Sequence, residues 1–314
     1  MIQLLNLLLN ENMKIYRRLR TWLLVLVLVL TTIGFLIAAK PSQVASGDWR
    51  TSVQQQITND QNMLASMNHG ADWKTQLTNR IHTNQYHLTH NILPAEETLW
   101  GNMLNAANLI KVVTVFTVII AADSVAGEFS AGTIKLLLIR PVSRAKILLS
   151  KYIAALIFSI LLFIVLFISA FLVSGFLQGF HDIGIPFVYA SSDGVVHETN
   201  VVQHAISTYL YQCVQMIMIV TMSFMISSVF RSSSIAIALS IAIMFVGTGV
   251  ASFLAQYNWA KYFLFENTDL TQYLTGSPNI PGMTMSFSVT VLIVYFVIFN
   301  ALSWIVFKKR DVAS

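Results

Sequence analysis

Apolar residues fill five stretches of this chain so completely that neither a helical nor a two-residue alternation with polar positions can be read in them: 22–39, 153–175, 209–229, 235–254 and 287–307. A helix rises about 1.5 Å per residue, so runs near 20 residues match the roughly 30 Å of hydrocarbon in a bilayer. Inside that hydrocarbon each backbone N–H and C=O must find its partner within its own segment, and these runs therefore predict membrane-spanning helices. A shorter apolar run, 112–122, would reach only about 16 Å at the same rise. Extended back to about residue 102 it becomes a sixth span, 102–122, with Lys111 inside it.

The polar stretches between the spans carry their own periodicity. Over residues 1–21, Leu5, Leu8, Leu9, Ile15, Tyr16 and Leu19 recur near helical spacing while Lys14, Arg17, Arg18 and Arg20 gather toward the end. This is the pattern of an amphipathic helix lying in the membrane interface. Residues 40–101 are rich in Gln, Asn, Thr and His, with Trp49, Val53, Ile57, Leu64, Met67, Ala71, Leu77 and Ile81 falling every three or four positions, which predicts a helical loop outside the membrane. Its histidines, His69, His82, His87 and His90, lack a cysteine or a tight carboxylate beside them, so a polar helix is the better reading than a metal site. Gly276, Pro278, Pro281 and Gly282 break any helix in the second large connector, 257–286.

Composition removes the soluble alternatives. The 314 residues are 55% hydrophobic and only 11% charged, with a mean hydropathy of +0.66, far from the usage of a water-soluble domain. A formal charge of +5 would hint at nucleic acid in a soluble protein, but in a membrane chain the position of each charge is what counts. Of the 19 Lys and Arg residues, 13 fall in the two terminal segments and in the connectors after the second and fourth spans, beside only four acids (Glu11, Asp123, Glu128, Asp311). The opposite side holds five basic residues against ten acids. Short basic loops resist translocation, so both termini and residues 123–151 are expected in the cytoplasm and residues 40–101 outside. Trp22 and Trp304 then fall near the inner interface, and Trp100 and Trp259 near the outer one. The fold class expected is an all-α membrane protein: an interfacial helix at 1–21, then a six-span domain over 22–314, multi-pass in a bacterial cell membrane.

Catalytic chemistry finds no footing. Gly127-Glu-Phe-Ser-Ala-Gly132-Thr133 has the outline of a phosphate loop, yet the lysine that reaches the phosphates is missing after Gly132 and no strand precedes it. The minimum residues of a zinc hydrolase, a nucleophile elbow and a dinucleotide loop are likewise missing. The single cysteine, Cys213, can form neither an internal disulfide nor a cysteine metal site. No catalytic, cofactor or metal residue is therefore expected in this chain. Within the spans, Lys111 and the stripe Met218, Met222 and Met225 are candidates for a translocation path. Against that, lysine can snorkel to the interface, and methionine fills gaps in helix packing. Gly247 and Gly249 read first as close helix approach.

The connector 123–151 is the distinctive segment. It runs Asp123-Ser-Val-Ala-Gly-Glu128-Phe-Ser-Ala-Gly132-Thr133-Ile-Lys-Leu-Leu-Leu-Ile-Arg140-Pro141-Val-Ser143-Arg144-Ala-Lys146 and on to Lys151. Four consecutive apolar residues, 136–139, are costly to leave in water, so the segment should dock on something. Pro141 disfavours a helix through Arg140, and Ser143 can cap a new one. This run resembles the cytoplasmic loop of permease subunits of ABC transporters of the type-2 exporter class. The resemblance rests on Glu128, the Gly132-Thr133 pair, the Arg140-Pro141 break and the run Ser143, Arg144, Lys146, placed directly after the second of six spans. It implies that these residues couple the membrane domain to a separate ABC ATP-binding subunit, which would hold the ATP and Mg. It also implies that a second permease subunit completes the transporter. Two other readings stay open from the residues alone: a stand-alone secondary transporter or channel, and a membrane sensor using residues 40–101.

The charge distribution makes a direct prediction about sidedness. In intact cells a cysteine at position 54, replacing Gln54, should react with an impermeant thiol reagent, and one replacing Ser130 should be protected. The reverse pattern would invert the map.

Overall fold

Burial separates the six long apolar helices into an axis and a periphery. The structure, a computed structural model, describes residues 2–39, 49–66, 71–134, 142–180, 184–191 and 194–309. Its helices are α1 (Ile2–Tyr16), α2 (Leu19–Ala38), α3 (Trp49–Ser66), α4 (Ala71–His90), α5 (Leu99–Ala107), α6 (Ile110–Ser130), α7 (Arg144–Gln178), α8 (Val201–Val229), α9 (Ser233–Leu254), α10 (Leu264–Thr268) and α11 (Met285–Lys309). Six of them, α2, α6, α7, α8, α9 and α11, are long and apolar enough to cross a membrane, and the chain is an all-α, multi-pass membrane protein. More than half of the apolar stretch is buried in α6 and α8 (56% and 61%), against 22% or less in α2, α9 and α11. The α6–α8 pair is thus the axis, and the outer helices turn apolar faces to lipid.

Small hydroxyl side chains bring that pair together. The Ser227 hydroxyl on α8 donates to the Ala122 carbonyl (2.6 Å) and accepts from the Val125 and Ala126 amides (both 3.1 Å), while the Ser223 hydroxyl donates to the Val118 carbonyl. In an apolar surround such bonds fix helix register as well as distance. One core cluster forms around Met103, Val113, Phe158, Leu162 and Tyr209. A second joins α6, α8, α9 and α11 through Val118, Met222, Met244 and Leu292.

Several sequence expectations are refined. The second span is shifted from the expected 102–122: it is α6, Ile110–Ser130, and a break after Ala107 separates it from α5, with the Asn108 side chain bonded to the Asn105 carbonyl at the break. An asparagine that binds nearby backbone offers the chain an alternative to the helical ladder. The same helix runs on to Ser130, so the first third of the segment expected as a loop at 123–151 is helical, and its last third opens α7. Ser143 does occupy the N-cap position of α7, but its side chain makes no capping bond. A two-stranded antiparallel hairpin, β1 (Pro186–Ala190) and β2 (Val196–Asn200), paired Val188 with Glu198, was not foreseen. Asn200 then caps α8 by accepting from the Val202 and Gln203 amides. Among the expected functional residues, Arg140 and Pro141 lie outside the described residues, as do His69 and Met67.

At the end of the bundle away from the termini, α3 and α4 pack over Val53, Ile57 and Ile81. Buried Asp60 accepts from two nitrogens of Arg80, the Nε at 2.6 Å. The segment expected to be broken at 257–286 contains only short helical turns, among them α10, all of whose residues are buried. Gly247 meets the Phe265 ring of α10, since a Cβ there would stand 2.2 Å from it, which is the close helix approach expected, whereas among the described residues nothing comes within 4 Å of a Cβ at Gly249.

His87, on α4, is buried with its Nδ1 3.0 Å from the Ile92 carbonyl. Burial lowers its pKa below the ordinary imidazole value against the opposing pull of that carbonyl, Glu96 and Glu198. The native state therefore holds this imidazole neutral more strongly than the unfolded chain does. Its contribution is complete above about pH 6.5 and declines as pH falls below that value, where the unfolded state takes the proton first. Hydrogen exchange of α3 and α4, corrected for intrinsic rates, should lose protection between pH 7.5 and 5.5 in the wild type and less so in His87→Gln. Equal losses would exclude His87 as the cause.

Candidate functional site at the basic end

The charged residues that the chain places beside its termini meet in one cluster. Helix α1 packs along the start of α7, and its corner with α2 is closed by the Thr21 hydroxyl on the Ile15 carbonyl (2.6 Å) and the Trp22 indole on the Tyr16 carbonyl (2.8 Å). This sets Glu11 and Lys14 of α1 against Glu128, at the end of α6, and Lys151, in the second turn of α7. Lys151 Nζ lies 2.8 Å from Glu11 and 3.0 Å from Glu128; Lys14 Nζ lies 2.8 Å from Glu128 and 3.0 Å from Glu11. The four charges alternate around a closed ring, and Lys151 is only 2% exposed. Burial opposes the Lys14 ammonium, but its bonds to Glu128 and Glu11 outweigh this and raise its pKa above the ordinary lysine value. Such a ring solves the desolvation problem collectively, because each ion has an opposite charge on both sides.

A second pairing lies one turn along α6. Asp123 receives Arg18 (Nη1, 2.8 Å) and Arg20 from the α1–α2 corner, and the Ser233 hydroxyl from the first turn of α9. Gly127 makes room for it, since a Cβ there would stand 2.6 Å from the Asp123 carboxylate. Ring and pairing together line a cavity of about 560 Å³. They tie α1, the α1–α2 corner, α6, α7 and α9 at one level. The chemistry available is ionic anchoring.

The expected coupling residues are placed as follows. Glu128 is inside the ring and has its partners within this chain. Thr133 hydrogen-bonds the Glu128 carboxylate, joining the start of the connector to the ring. Gly132 adopts φ +69°, the left-handed region that glycine enters without strain, and among the described residues no atom crowds it. Arg144 donates to the Lys308 carbonyl in the last turn of α11 (3.2 Å), and Lys146 is exposed. The expected pathway residues do not converge. Lys111 is exposed in the first turn of α6, Met218 and Met222 are buried in the core cluster shared by α6, α8, α9 and α11, and Met225 packs against it. Glu11, Lys14, Asp123 and Lys151 entered the sequence reading only as topology markers. The signal that points to them is the presence of four acids in segments otherwise basic, each of which needs a cation near a membrane; three of them, Glu11, Asp123 and Glu128, meet here, and the fourth, Asp311, lies outside the described residues.

A six-span helical protein with an ionic clasp at one end is the class defined so far. By sequence the chain belongs to the family described as "Protein of unknown function (DUF2705)", which matches residues 77–313. It is 40% identical over 319 residues to the uncharacterized protein YhcI of Bacillus subtilis (strain 168), covering 99% of this chain and 100% of that one. It is also 29% identical over 220 residues to the uncharacterized membrane protein YdbK of the same organism, covering 69% of this chain and 85% of the relative.

The ring predicts a sharp contrast between two lysines of α7. Lys151→Met leaves two buried carboxylates sharing Lys14, and breaking a buried pair of this kind costs about 3–5 kcal/mol. Lys146→Met, on the exposed face, should cost under about 0.5 kcal/mol. Thermal unfolding in detergent should show a large fall for the first and none for the second, accompanied by faster trypsin cleavage at Arg17 and Arg18 in Lys151→Met alone. Matching midpoints would mean that the ring adds nothing to stability.

Proposed function

We propose that this chain is the permease subunit of an ATP-driven ABC exporter of the type-2 class. It would form the translocation path with a second permease subunit, identical or related, and couple to a separate ATP-binding subunit that carries ATP and Mg. In this reading the basic end is cytoplasmic, α1 lies in the inner interface of the bacterial cell membrane among its lipids, and α3–α4 stand outside. The observation that carries it is the rooting of the connector between α6 and α7. Glu128 and Thr133 hold its start, and Lys151 holds the helix that follows, on one ionic ring shared with α1. A push on that connector reaches α1, α6 and α7 together, as coupling to an external motor requires; coupling needs an element both sites bias. Support also comes from the resemblance of residues 123–151 and from the missing phosphate-loop lysine, which leaves work to be supplied from outside the chain.

Because Glu128 is bonded internally, the residues that fit contact with a partner are Arg144 and Lys146, with Arg140 and Pro141 beside them in sequence. Lys146→Glu combined with Arg144→Glu should sharply reduce copurification of an ATP-binding subunit and its stimulated hydrolysis, while leaving membrane insertion and the thermal midpoint near wild type. Undiminished copurification would overturn the coupling assignment. Specific ATP binding by the isolated chain would overturn the division of labour.

A further inference from the structure

A second cavity, about 500 Å³, opens at the end of the bundle opposite the ionic ring. The helix break puts it there. α5 starts from Thr98, whose side chain caps it, and Gly101 lies so close to the Ala95 carbonyl that a Cβ would stand 1.8 Å away. That close approach leaves Glu96 facing the turns that follow α10. The far wall is closed by bonds of Gln272 to the Glu266 and Asp269 carbonyls and by the Asn279 amide on Gln272. Phe187 of β1 forms an aromatic side, its ring stacked on His204 at 4.1 Å.

The charge of this cavity is one-sided. Glu96 and Asp269 line it, and no Lys or Arg does so among the described residues. Arg80, whose charge acts on Glu96, is already held by Asp60 through two nitrogens. Behind the wall, Glu266 is 1% exposed. One of its oxygens accepts from Asn279, a lining residue, and the other, Oε1, is buried without a partner among the described residues. A bare metal ion does not suit the space: among the described residues no three metal-ligating side chains gather, and the volume is that of small-molecule pockets.

We infer that this cavity is a binding site for a small organic cation, an amine or guanidinium solute held between Glu96 and Asp269 with Phe187 and the Gln272 and Asn279 amides along its sides. Low-dielectric walls carrying one sign of charge concentrate the opposite ion, and an aromatic face adds attraction for an ammonium. The inference goes beyond the permease reading and does not depend on an ATP-binding partner.

The test uses the purified full-length protein with Cys213→Ser and a reporter cysteine, Thr275→Cys, in the cavity wall. Its modification by a cationic trimethylammonium methanethiosulfonate should be at least about tenfold faster, relative to the anionic sulfonate reagent, than the ratio for a free thiol, the lower end of electrostatic focusing. A control cysteine at the exposed Thr58 should show no such preference. Glu96→Gln with Asp269→Asn, which keeps the Asp269 capping acceptor, should return the ratio to the free-thiol value. Spermidine, and not sorbitol, should slow the labelling. A free-thiol ratio in the reporter protein, a preference that survives the double substitution, or equal protection by sorbitol would each overturn the inference, the last in favour of a neutral polyol site.

Discussion

An ion at the edge of a bilayer has little water to solvate it, and the structure depends on meeting that constraint with protein charge. Glu11, Lys14, Glu128 and Lys151 do so as a ring rather than as pairs, with each nitrogen between two carboxylates. The arrangement explains why α1 folds back against α7 instead of trailing free. Removing α1 would leave Glu128 and Lys151 as a single pair, each without its second charged partner, in a place where unmet capacity is expensive. An amphipathic helix that merely floated in the interface would have no such fixed register.

The ring acts on the rest of the fold through α6. At one end this helix carries Asp123 and Glu128; at the other it begins beyond the break at Asn108, where α5 supplies Gly101 and Asn105 to the far cavity. Between the two, the Ser223 and Ser227 hydroxyls hold it to α8 by its own backbone. A helix fixed this way moves as a body or not at all, because sliding would break bonds for which lipid offers no replacement.

How much of this was legible in the sequence follows from the physics of each feature. Five spans were read directly, since a continuous apolar run has a single structural solution in lipid; the sixth was inferred from its length deficit but extended backward to 102–122, where the helix instead runs Ile110–Ser130. The break that precedes this helix was not legible. Neither Gly nor Pro marks it, and Asn105 and Asn108 signal a local backbone bond only once their neighbours are placed. The β-hairpin at 186–200 was missed because its strands are five residues each and their alternation is too short to stand out. Of the site, the residue types and the segment were visible, but the pairing was not: Glu11 and Lys151 are 140 residues apart, and an ion pair leaves no periodic trace. Counting acids on the basic side comes nearest, for of the four exceptions there the three within the described residues, Glu11, Asp123 and Glu128, are all paired.

The two ends of the bundle use charge in opposite ways, and that difference separates scaffold from site. At the basic end opposite charges alternate and each anion of the ring is bonded to two cations, so little field is left to attract a solute into the cavity they line. At the far end Glu96 and Asp269 face a space that no Lys or Arg lines among the described residues, and Glu266 stands behind them with an oxygen that has no partner among those residues. The Asp60–Arg80 pair shows that an arginine is available within reach of Glu96, yet it is tied to Asp60 on the neighbouring helix. A lining that carries negative charge is what a recognition site for a cation requires and what a purely structural void does not.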